Sequence, residues 1–322
     1  MSNSYELRHR VALKNPYNSI DRVLEADSGS FLVGIKNIHS IPNTLMHKLE
    51  KTGFALHTID RKSPLAGRAV DTGLINPITG HWMSGSSSGT AVNVFAGIND
   101  LGIGNDGGGS VLAPAMCLNI LGFISPLIEA DRQQNRKANT DGIVAGNSIG
   151  FMARDKDILY KAIADSIAIY PAQETGKVVS DRKYDEFDSQ VIRVMPNKAP
   201  RSELTEYLRK TLKEADVLVV SEGPVDLKGF GDSLFGHFDE RTRQIQMDAE
   251  KGYLRVCNIA QATALCLPQK DLGMATLLMC ESRPDKIARL LALGRKISEV
   301  HDELIERYFL DLNNYFIEGY EI

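Results

Sequence analysis

Short apolar runs between polar boundaries organise the first part of this chain. Phe31-Leu32-Val33-Gly34-Ile35 is too brief for a helix and predicts a buried strand that ends on Lys36. Leu45, Met46 and Leu49 recur at helical spacing over residues 44–51, Gly53 stands where a helix stop belongs, and residues 54–59 predict a second strand. Farther on, residues 91–96 predict a helical segment closed by Gly97, and an apolar stretch runs from Val111 to near Pro126. Residues 129–141 are polar throughout and predict a surface loop.

The second half keeps the same rhythm. Asp155 is placed to cap a helix whose apolar positions are Ile158, Leu159, Ala162, Ile163 and Ile167. Residues 190–195 predict a strand, Ser202 is placed to cap a helix carrying Leu204, Leu208 and Leu212, and residues 217–220 predict another strand. Two more strand candidates, 265–268 and 274–279, are joined by a polar turn, and the pattern from Asp285 onward is helical. Alternating strands and helices imply an α/β fold, a sheet with helices on its faces. No internal repeat or linker divides residues 1–322, so a single domain is expected.

Composition narrows the function classes. With 43% hydrophobic and 24% charged residues the chain is of globular type, and 322 residues suffice for a sizeable core. The net charge of −4 is mixed along the sequence with no basic face, which argues against nucleic acid as the main ligand. Cys117, Cys257, Cys266 and Cys280 show no CxxC spacing and sit in apolar surroundings, so buried free thiols are expected, not disulfides or zinc ligands. His39 and His81 belong to no metal-spaced cluster, and neither a metal nor another cofactor is expected. No stretch approaches the ~20 apolar residues of a membrane span, and residues 1–10 lack a signal-type apolar core, so the expected address is the cytoplasm.

Chemistry concentrates in the Gly/Ser-rich region. Ser84-Gly85-Ser86-Ser87-Ser88-Gly89 is followed by Asp106-Gly107-Gly108-Gly109-Ser110. Either segment alone reads as a turn, since turns collect these residue types. Phosphate binding is disfavoured, because neither the P-loop lysine pattern nor the dinucleotide spacing is present. Glycines that turn backbone N–H groups toward one point can instead build an oxyanion hole, and a serine ending that run, here Ser110, can attack a carbonyl held there. A serine needs a base, and no histidine stands in a known triad order; His81 is the closest in sequence.

Together the two loops resemble the amidase signature family, with its Gly-Gly-Ser-Ser-Gly-Gly-Ser and Asp-x-Gly-Gly-Ser-Ile/Val-Arg-x-Pro patterns. Ser86 and Ser110 match its two catalytic serines, at the family separation of 24 positions, and Gly34-Ile35-Lys36-Asn37-Ile38 matches its upstream lysine motif, usually Ile-Lys-Asp-Asn. Looser matches are Asn147–Arg154 and the segment 258–279. The resemblance implies a mixed central β-sheet flanked by helices on both faces. It also implies hydrolysis of a small carboxylic amide, or acyl transfer from it, by a Lys36-Ser86-Ser110 relay with a cis peptide bond at Ser86. The implied oxyanion and substrate contacts come from Gly107, Gly108, Gly109, Ser84, Gly85 and Met83, with Asp106 and Ser87 as structural support. Trp82 and Ala113 are further candidates for the substrate wall, although Trp82 and Met83 fit core packing equally.

Two departures stand out. The family arginine two positions after the nucleophile is Leu112 here, so Asp106 must find backbone N–H groups or another cation, and the residue after the lysine is Asn37. The chain is also short for the family, which implies an open pocket or help from a second subunit, as in a homodimer. Two other functions fit the same residues: an esterase using the same relay, and a weak or inactive amidase-like binding or partner protein.

Overall fold

In the computed structural model, which describes residues 4–64, 68–132, 137–138, 144–232 and 234–316, the predicted strand at Lys36 is the third member of a large sheet. The strands are β1 (Ile20–Val23), β2 (Phe31–Lys36), β3 (Phe54–Asp60), β4 (Val70–Ile75), β5 (Trp82–Ser84), β6 (Leu101–Asp106), β7 (Leu121–Ser125), β8 (Lys137–Ala138), β9 (Val144–Ala145), β10 (Ser148–Ala153), β11 (Val178–Ser180), β12 (Gln190–Val191), β13 (Val217–Glu222), β14 (Ala262–Pro268) and β15 (Ala275–Glu281). Eleven of them form one sheet in the order β1-β3-β2-β6-β10-β7-β14-β15-β13-β11-β12. It is mixed: β2 runs parallel to β3 and β6, β11 parallel to β12 and β13, and the remaining pairs are antiparallel. The β4-β5 and β8-β9 pairs stand apart.

The central strands β6, β7 and β10 are buried along their whole length, as strands covered on both faces must be. One face packs against helices α1 (Ser88–Phe95), α2 (Leu112–Met116) and α3 (Arg201–Glu214), through a cluster that includes Val92, Phe95, Leu112, Leu208 and Leu277. The other packs against Asn43–Glu50, Lys156–Ile167 and Pro284–Lys296, through Leu45, Leu49, Phe151, Ile163, Leu290 and neighbours. Helices therefore cover both faces, and the sheet draws its strands from residue 20 to residue 281.

Most sequence expectations hold locally. Asp155 caps its helix by accepting from the Ile158 N–H at 2.9 Å, and all four cysteines are buried free thiols. The strand expected over 190–195 stops at Val191. Its partner β11 ends at Ser180, and an edge strand with one neighbour cannot extend past that neighbour's last free hydrogen-bonding group. α3 begins one residue before the expected cap, with Pro200 at its N-cap, so Ser202 lies inside the helix and caps nothing. The helical C-terminal region breaks after Lys296 and resumes at Glu303–Phe309. The loop expected over 129–141 lies mostly outside the described residues. No described helix is long and apolar enough to cross a membrane.

Candidate active site

Lys36 is the last residue of β2 and points into the protein, with 2% of its surface exposed. Its Nζ lies 2.6 Å from the hydroxyl oxygen of Ser86, itself buried. Burial pushes the lysine down from its ordinary value to about 8; the Asp106 carboxylate opposes this and the Lys62 ammonium adds to it. A lysine held near 8 is partly neutral around physiological pH, which an exposed lysine is not.

The serine loop is set by β5 in front of it and α1 behind it. The Gly85–Ser86 peptide bond is cis. Gly85 donates its N–H to the Ala69 carbonyl at 2.7 Å, and the Ser86 carbonyl accepts from the Ser63 N–H at 3.2 Å. Two buried carboxylates grip the loop from outside: Asp226 accepts from the Ser84 hydroxyl, and Asp71, on β4, accepts from the Ser88 hydroxyl. Asp226 is also ion-paired to Lys251 at 3.0 Å. Close approach of α1 to the sheet depends on Gly104, where a Cβ would stand 2.6 Å from the Ser87 hydroxyl oxygen.

The glycine loop follows directly from the end of β6. Asp106 is fully buried and accepts from the N–H groups of Gly109 and Val111, both at 2.7 Å, and more weakly from Leu112 at 3.4 Å. These backbone donors satisfy the Asp106 carboxylate, and Leu112 packs wholly within the core. Burial pushes Asp106 upward, while the amides of Val111, Gly109 and Leu112, then Lys36, draw it back. Gly109 has φ +100°, which a residue with a side chain rarely adopts, and a Cβ there would lie 2.5 Å from Leu254 Cδ1. Asn258 buttresses the loop from below, donating to the carbonyls of Gly107 at 3.2 Å and Gly146 at 2.7 Å and accepting from Ser148.

The two loops meet where the Ser87 N–H donates to the Ser110 carbonyl at 3.2 Å. Ser110 and glycines 107 and 108 are partly exposed, whereas Ser84, Gly85, Ser87 and Gly109 are buried. Met83 and Ala113, read as possible substrate contacts, lie in the core with 1% and 3% exposure; Trp82 is 42% exposed and faces the Phe230 ring. Asn37 is exposed and donates to Asp21 at 2.7 Å. His39 and His81 are exposed. Sequence reasoning missed Asp71, Asp226 and the role of Asn258, which act across 17, 142 and 151 residues. Only Asn258 carried a signal, as the first residue of the loosely matching C-terminal segment.

With this geometry established, known proteins supply a comparison. Residues 75–129, which hold both serine loops, match the family model described as Amidase. A glutamyl-tRNA(Gln) amidotransferase chain from Thermotoga maritima superimposes with TM-score 0.64 at 14% identity, covering 91% of each chain. An amidase family protein from Bacillus anthracis str. Ames gives 0.58 at 12% identity, covering 93% of this chain and 89% of that one. A bacterial aryl acylamidase of the amidase signature family gives 0.59 at 12% identity, covering 96% and 95%. The fold is thus the amidase-signature fold, and the resemblance to the amidase signature family is borne out. No protein of curated function matches the sequence.

Proposed function

We propose that this protein cleaves carboxylic amides through an acyl-enzyme on Ser110. The observation that carries the proposal is the buried 2.6 Å contact between Lys36 Nζ and Ser86 Oγ, with the lysine held near 8. In its neutral form Lys36 accepts the Ser86 proton as Ser86 takes the proton of Ser110, and the Ser110 oxygen attacks the amide carbon. The oxyanion that forms is held by backbone N–H groups of the glycine loop. The Gly109 N–H already serves Asp106, so Gly107 and Gly108 are the donors this reading uses. As the intermediate collapses, the C–N bond breaks and the leaving amine takes a proton back along the relay. Water then attacks the Ser110 ester by the same path and releases the carboxylic acid.

The Asp106 bonds support a working site in place of a decayed one. Loss of the family arginine leaves no vacant carboxylate, because three backbone amides face it. Fluorophosphonate labelling is the direct test. Wild-type protein is expected to be labelled at Ser110, with label lost in Ser110→Ala and strongly slowed in Lys36→Met. Labelling that survives Ser110→Ala would overturn the assignment of the nucleophile. A wild type that resists the probe across pH 6–10 would favour the binding-protein alternative.

A further inference from the structure

We propose that Glu222 is a positioning residue for the oxyanion hole: from the end of β13 it fixes the segment on which the glycines of the 107–109 loop rest. The inference rests on the proposed amidase reading and deepens it. Glu222 is fully buried, and the relay makes no use of it. Its carboxylate accepts three consecutive backbone N–H groups, those of Gly252 at 2.5 Å and Leu254 at 3.3 Å on Oε1 and that of Tyr253 at 3.0 Å on Oε2. These amides open the tight helical turn Tyr253–Arg255, and the first N–H groups of a helical turn have no acceptor within it. A carboxylate 30 residues earlier in the chain supplies what the turn lacks. Burial pushes Glu222 up to about 7, while the amides of Gly252, Leu254 and Tyr253, then the Arg255 guanidinium, draw it back.

This turn backs the glycine loop. A Cβ on Gly109 would stand 2.5 Å from Leu254 Cδ1 and 3.4 Å from the Leu254 carbonyl oxygen, and one on Gly108 would stand 3.5 Å from the Arg255 carbonyl oxygen. Gly107 is held by the same segment a few residues on, its carbonyl accepting from Asn258 Nδ2 at 3.2 Å. Leu254 is itself fully buried, so its side chain has no solvent into which to retreat. From the β6 side, Asp106 takes the N–H groups of Gly109 and Val111. The loop therefore lies between two buried carboxylates, one bonded to it directly and the other acting through residues 252–255. Oxyanion donors act only where the reacting oxygen will stand, so a shift of this backing slows the chemical step more than it weakens binding.

Fluorophosphonate kinetics at about pH 9, above the values of both Lys36 and Glu222, test this without a known substrate. The phosphoryl oxygen of the probe takes the oxyanion position, so the limiting rate constant kinact reads the hole and the half-saturation constant KI reads binding. In Glu222→Gln the side-chain NH₂ meets a backbone N–H where an acceptor stood, and kinact should fall about 10- to 100-fold with KI held within about three-fold. A merely structural Glu222 would instead lower the fraction of chains labelled at the endpoint and leave kinact of the remainder unchanged. Leu254→Ala removes the contact with Gly109 without touching the carboxylate, and should lower kinact about ten-fold; it decides the matter if Glu222→Gln does not fold. Unchanged kinact in folded Glu222→Gln, or in Leu254→Ala where the first variant is unfolded, overturns the positioning role alone when the wild type labels at Ser110. A wild type that takes no label overturns the amidase reading, and this inference with it.

Discussion

Ser84 donates its hydroxyl hydrogen to Asp226, 142 residues farther along the chain, and the same carboxylate is ion-paired to Lys251 at 3.0 Å. The serine loop is thereby fastened to the turn after β13, with both charges almost wholly buried. Removing the carboxylate strands a buried ammonium, whereas removing the serine hydroxyl leaves the ion pair intact. Asp226→Ala should cost about 3–5 kcal/mol in urea unfolding, and Ser84→Ala about 1 kcal/mol. Equal losses from the two would show that Asp226 does not hold Lys251 in this way.

Lys36 must be neutral to act as a base, and burial brings it to about 8. The sign follows directly: protonated lysine predominates below that value and is inactive, so kcat/KM should rise with pH and level off above about 8. Lys36→Met should lower kcat/KM by roughly 10² to 10⁴, and Lys36→Arg by a similar factor, because guanidinium stays protonated. A flat wild-type profile from pH 6 to 9.5 would count against lysine as the base.

Asp106 faces N–H donors on both oxygens. In Asp106→Asn one of those donors meets the amide NH₂ instead of an acceptor, leaving a buried N–H unsatisfied. The expected destabilisation is about 1–3 kcal/mol by denaturant titration, with activity falling further than stability because the glycine loop loses its anchor. Unchanged unfolding midpoints would mean that the carboxylate does not organise the loop.

Gly109 combines φ +100° with a neighbour, Leu254 Cδ1, that would lie 2.5 Å from an added Cβ. Gly109→Ala should therefore cost about 1–3 kcal/mol and abolish Ser110 labelling at 25 °C. Leu254→Ala in the same background relieves the contact but not the backbone conformation, so it should restore only part of the lost stability. Full restoration would show that φ contributes nothing.

Local patterns fixed much of this protein. The apolar run before Lys36, the helical spacing after Asp155 and the two strands that became β14 and β15 were legible because burial leaves short apolar runs or helical spacing in each element. Lys36, Ser86 and Ser110 stood out as candidates because a short motif carries its own residue types and spacing. The sequence did not show where β12 would stop, since an edge strand's length is set by its neighbour, nor that α3 would start at Arg201.

What only the tertiary structure decided are the partners. Nothing near Asp71 or Asp226 in sequence marks them as supports of the serine loop, the loose match that begins at Asn258 does not say what that side chain holds, and their bonds span 17, 142 and 151 residues. Lys36 illustrates the division. Its identity and its place at a strand end belong to the sequence, but its lowered pKa comes from exclusion of water, and that exists only once the sheet and α1 have closed around it. Local propensity depends on a residue and its chain neighbours; desolvation and long-range hydrogen bonds depend on which distant segments the fold brings together.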